Sequence, residues 1–108
     1  MDIKSTDEYN AIVEKYTDNK GKLNYRFMNK EFIQFASKST TVADMIANKA
    51  TSDDIFIFVI KSRATFIANK KQSLSDDLVK SLIEALDELC TRSAFKELRA
   101  HINKMLSK

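Results

Sequence analysis

The stretch at residues 51–71, TSDDIFIFVIKSRATFIANKK, decides the fold of this chain. Its centre, Ile55 to Ile60, is six apolar residues in a row, rich in the β-branched and aromatic types that suit a buried strand. The flanks point the other way. Thr51 or Ser52 can cap a helix, and Asp53 and Asp54 put negative charge on the positive end of its dipole. A strand at 55–60 would also need a partner, and the one candidate is KLNYRF, residues 22–27. There Leu23, Tyr25 and Phe27 alternate with polar residues, but Tyr25, Met28, Phe32 and Phe35 continue at helical spacing. The spacing predicts a helix over about 25–37 with an extended entry at 22–24, and a helix through the apolar run.

The remaining elements follow from caps and periodicity. Ser5 and Glu8 fit a capping box that opens a helix over about 6–16, with Tyr9, Ile12, Val13 and Tyr16 on one face. Thr40 or Thr41 caps a short helix carrying Val42, Met45 and Ile46. Ser75 with Asp76 and Asp77 starts another, whose stripe runs from Leu78 and Val79 through Leu82, Ile83 and Leu86 to Leu89. A last helix begins near Ser93 and turns Phe95, Leu98, Ile102 and Met105 inward. The segments IANKATSDD and IANKKQSLSDD share a helix end, a polar turn and an acidic start, one device used twice.

Proline is absent and glycine occurs once, whereas sheet-rich folds need frequent turn punctuation. The expected fold is therefore all-α, a compact up-and-down bundle of five to six helices forming a single domain over 1–108. Hydrophobic residues make up 44% of the chain, enough for a packed core.

The one cysteine, Cys90, cannot form an internal disulfide, and the N-terminus has no apolar signal segment. A cytoplasmic location is expected. The apolar run at 55–60 is far too short to span a membrane.

Chemistry is sparse. The single glycine, Gly21, lies in TDNKGKLNY (17–25), which has the look of a calcium loop. With Gly21 at the sixth loop position, Tyr16 falls at the first, Lys20 at the fifth and Phe27 at the twelfth, where oxygen ligands belong. A plain turn with Gly21 at positive φ is expected instead. Cys90 lies on an apolar stripe, and His101 has no evident orienting partner. Neither a metal nor another cofactor is implied, no small-molecule substrate is evident, and a self-sufficient enzyme is not expected.

Two surfaces remain. On the central helix, Ile55, Phe56, Val59 and Ile60 face one way, leaving Ile57 and Phe58 facing another. A helix apolar all round is either central or carries a second contact surface. Ile57 and Phe58 are thus the candidate contact residues for a protein partner or for self-association, in a non-enzymatic regulatory protein. The last helix offers the alternative. Arg92, Lys96 and Arg99, with Lys104 nearby, form a basic face able to track the phosphates of a nucleic acid. The net charge of +3 makes that footprint weak. Arg63 stands in line with Phe56, Val59, Ile60 and Phe66, an unusual place for a charge. Its stem can pack while the guanidinium reaches solvent, or it can pair with Glu84, Asp87 or Glu88.

Overall fold

The computed structural model describes residues 2–108, so Met1, the first residue of the expected domain, lies outside it. The fold is all-α. A 3-10 turn, Ile3–Ser5, leads into α1 (Asp7–Tyr16), α2 (Tyr25–Lys38), α3 (Thr40–Ala47), α4 (Ser52–Ile67), α5 (Asp76–Cys90) and α6 (Lys96–Leu106). The apolar run is a helix, and α4 packs against all five of the others. That position accounts for its missing polar face. Ile55, Phe56, Val59, Ile60 and Ala64 are buried, while neighbours on the other sides half-cover Ile57 and Phe58. The extended entry at 22–24 amounts to one isolated antiparallel bridge between Thr17 and Leu23.

Five helices begin with a side chain that accepts the third amide of the helix. The pairs are Thr6 with Tyr9, Asn24 with Phe27, Ser39 with Val42, Thr51 with Asp54, and Ser75 with Leu78. Such a cap contributes about 1 kcal/mol. Two caps differ from the sequence reading. Ser5 lies inside the 3-10 turn and donates to the Asp2 carbonyl, so the extended residue free to cap α1 is Thr6 and the predicted capping box is displaced. Likewise Ser39, rather than Thr40 or Thr41, is the extended residue between α2 and α3.

The sixth helix is capped from a distance. Phe95 precedes α6 and supplies no side-chain bond. Asn29, 1% exposed on α2, supplies it instead. Its Oδ1 accepts from the Leu98 amide at 2.9 Å, and its Nδ2 donates to the Ala94 carbonyl at 2.7 Å and the Tyr25 carbonyl at 2.6 Å. The Ala94 amide donates to Asp87 Oδ1 at 2.6 Å. The connection between α5 and α6 is thereby tied to both α2 and α5.

The repeated IANK device ends α3 and α4 alike. Ala50 donates to the Met45 carbonyl and Lys70 to the Thr65 carbonyl, closing the six-residue loops of a Schellman end. The left-handed residue is Lys49 in the first copy (φ 62°) and Asn69 in the second (φ 55°), a shift of one position. Thr91, at φ 51°, ends α5 in the same conformation. In the loop after α1, Gly21 takes φ 80° as expected. Asp18 Oδ1 accepts from the Lys20 and Lys22 amides, so this carboxylate closes the turn.

The core joins the helices through aromatic contacts. Phe95 lies 5.3 Å from Phe32 and 6.0 Å from Phe56 between ring centroids, and Tyr16 lies 6.2 Å from Phe32. Two residues read as inward are not. Leu89 is 43% exposed at the end of α5, and Phe66 is 73% exposed. Phe66 lies in the last turn of α4 between buried Ala64 and core-packed Ile67, beside Ala11, Glu14 and Lys15 of α1, and its ring stands out from that surface.

Candidate interaction surface

Phe66 is the most exposed large apolar side chain among the described residues. The Arg63 guanidinium lies 5.2 Å from its ring centroid, and 5.8 and 6.0 Å from those of Phe32 and Phe35 on α2. Phe35 in turn lies 6.4 Å from Phe58. Phe58, Phe35, Arg63 and Phe66 therefore form a row along the seam between α2 and α4. Beside it opens a cleft of about 330 Å³, lined by Glu31, Gln34, Phe35, Lys38, Ser39 and Arg63.

Arg63 is half-buried, lines this cleft, and forms no ion pair with Glu84, Asp87 or Glu88. Asp87 accepts the Ala94 amide, and Glu88 pairs with Lys4 at 3.1 Å. Among the described residues Arg63 forms no ion pair, and its Nε is buried without a hydrogen-bond partner. The carboxylate on its own cleft is otherwise engaged. Glu31 accepts from the Tyr16 hydroxyl at 2.7 Å and lies 3.9 Å from Lys15. Burial first, then the bond to Glu31, push the Tyr16 hydroxyl far above the ordinary phenol range, while the Arg63 guanidinium opposes the shift, first as a hydrogen-bonding neighbour and then as a charge.

Ile57 points to a different neighbourhood from Arg63. It lines a cleft of about 220 Å³ with Asp53, Phe56, Lys80, Ile83, Glu84 and Arg99. With Phe58 it also lines a smaller one bounded by Asp54, Lys61 and Asp76. Lys61 and Asp76 form an ion pair there, which holds the Asp76 carboxyl below its usual range. The two candidate contact residues thus meet at one edge of α4, half-buried. The row that starts at half-buried Phe58 ends at exposed Phe66.

The basic face of α6 is partly spent inside the fold. Arg92 pairs with Glu97 at 3.2 Å and lies 4.3 Å from the Tyr25 ring centroid. Arg99 lies 4.0 Å from the Phe56 ring centroid and 3.8 Å from Asp53. Lys96 and Lys104 remain exposed without an ion pair among the described residues. His101, on the same helix, is half-buried and shares a 3.0 Å hydrogen bond with Ser37 of α2. Cys90 is half-buried, and burial followed by the Asp87 charge pushes its thiol up, away from the reactive thiolate.

Sequence spacing singled out Phe58 and flagged Arg63; it did not single out Phe66, which is exposed, or Phe35, which is half-buried beside Arg63. Comparison of the chain with family profiles, curated proteins and solved structures finds no match. No helix among the described residues is long and apolar enough to cross a membrane.

Proposed function

We propose that this chain is a non-enzymatic interaction module that holds a protein partner along the α2–α4 seam. The observation that carries the reading is Phe66, 73% exposed and flanked by an arginine whose Nε is buried and unpartnered. Exposed aromatics are costly to leave in water, and arginine beside aromatic rings is the side-chain chemistry enriched at binding hot spots. Phe58, already a candidate from the sequence, lies at the other end of the row, and Ile57 borders it.

The test is site-specific photo-crosslinking in the native host from position 66, with position 104 as the comparison. A discrete protein adduct from position 66 and none from 104 is expected. The adduct mass separates a second copy of the chain from another protein. No adduct from 66, or a nucleic-acid adduct from 104, would overturn the reading.

A further inference from the structure

We infer that the cleft between α2 and α4 is an acid-binding pocket that seats an Asp or Glu side chain from an extended segment of the protein partner. This rests on the interaction surface proposed above and names the chemistry of what it takes. Of the four arginines, Arg92 and Arg99 have carboxylate partners within the chain, and Arg26 is fully exposed beside Tyr25. Arg63 is half-buried and forms no ion pair among the described residues; its hydrogen-bonding neighbour is the Tyr16 hydroxyl, and Glu31 is the acid on the same cleft. Three rings fix the plane of its guanidinium, which removes most of the entropy cost of orienting it for a ligand. Arg63 lines the cleft, and a guanidinium fork held in one plane matches the planar oxygen pair of a carboxylate.

The rest of the cleft agrees in sign and shape. Lys38, exposed at the rim, adds a second cation that forms no ion pair among the described residues. The one acid on the wall, Glu31, is engaged by the Tyr16 hydroxyl and Lys15. Gln34 and Ser39 supply neutral hydrogen-bonding groups. A volume of about 330 Å³ accommodates a single side chain with its flanking backbone. Phe66 beside Arg63 offers an apolar landing for the residue next to the acid. The fitting occupant is therefore an acidic residue flanked by an apolar one, in extended chain.

The experiment is a titration of the ¹⁵N-labelled protein, observed by NMR at the backbone amides and at the Arg63 Nε–H. The probes are acetyl-Leu-Glu-Leu-amide, its Gln counterpart and inorganic phosphate. Saturable shifts at Arg63 Nε–H, Phe35, Lys38 and Ser39 are expected with the Glu peptide, with about tenfold weaker binding of the Gln peptide, as for loss of one charge-assisted contact. Lys38→Glu, at an exposed site that leaves folding intact, should weaken the Glu peptide by a similar factor. Arg63→Lys keeps the charge but loses the fork and should weaken it further. Equal binding of the Glu and Gln peptides would overturn the acidic ligand while leaving the interaction surface standing. So would phosphate binding at least as tightly as the Glu peptide. Selective Glu binding alongside a silent cross-link at position 66 would do the reverse, sinking the partner surface and sparing the pocket.

Discussion

Asn29→Ala is the substitution that most directly probes how this bundle is held together. Asn29 satisfies three polar groups, and two of them have no other partner to fall back on. The Leu98 amide lies in the first turn of α6, where intrahelical acceptors do not exist, and the Ala94 carbonyl lies in the connection before it. The Tyr25 carbonyl belongs to α2 and keeps its helical partner. Stranding a buried donor or acceptor costs about 1–3 kcal/mol. Two such groups, with some relief from water entering the truncated site, give an expected loss of about 2–4 kcal/mol. A domain of this size has about 5–15 kcal/mol in total, so the change is large. At roughly 4 °C per kcal/mol, the melting temperature should fall by about 8–16 °C. Urea unfolding followed by far-UV circular dichroism measures it, with the urea dependence unchanged if only native contacts are lost. Asn29→Asp, which keeps the acceptor for Leu98 but turns an oxygen toward the Ala94 carbonyl, should also be destabilising. A loss under about 1 kcal/mol for Asn29→Ala would refute the claim that α6 is capped from α2.

Tyr16 makes stability fall in alkali. Its folded pKa lies above the ordinary value of 10.0, so as the pH rises past that value the unfolded chain loses a proton that the native chain retains. The contribution is full below that value and declines above it, by up to about 1.4 kcal/mol per pH unit. Urea midpoints measured between about pH 9 and pH 11 should show this decline, and Tyr16→Phe should remove the part due to this residue; equal slopes in both proteins would refute it. Thr91→Gly should stabilise the chain by about 1 kcal/mol, because a β-branched residue at φ 51° carries strain that glycine does not. A lower melting temperature for Thr91→Gly would show that its hydroxyl bond to the Cys90 carbonyl outweighs the strain.

What could be read from the sequence was whatever depends on neighbours in the chain. The caps of α4 and α5 are local, so Thr51 and Ser75 were legible together with their acidic first turns. The helix through Ile55 to Ile60 was legible because its start signals lie beside it. The cap of α6 was not, because Asn29 and Leu98 are far apart in sequence and meet only once α2 and α6 pack. The same holds for Phe66. Helical spacing places it in line with Val59 and Arg63, yet Val59 is fully buried and Phe66 is exposed, a difference that only the packing around each residue decides. Leu89 is likewise exposed near the end of α5, while Leu86 one turn earlier is fully buried. Periodicity gives the direction of a side chain and says nothing about what stands opposite it.

The electrostatics carry this argument one step further. A face counted from sequence assigns Arg92, Lys96, Arg99 and Lys104 equal weight as cations. In the fold, Arg92 and Arg99 are neutralised by Glu97 and Asp53 and spread over aromatic rings. The field available to a polyanion along α6 is then that of two separated lysines, with charges screened beyond about 10 Å at ordinary salt. Arg63 shows the opposite. It contributes one charge, half-buried against aromatic rings and without an ion pair among the described residues, where a hydrogen-bonded contact is stronger than at a fully solvated site. A ligand that brings a single well-placed carboxylate gains from such a site, whereas a polyanion gains little from it. On this ground the charge distribution supports the proposed acidic protein segment as ligand over the alternative of a phosphate backbone.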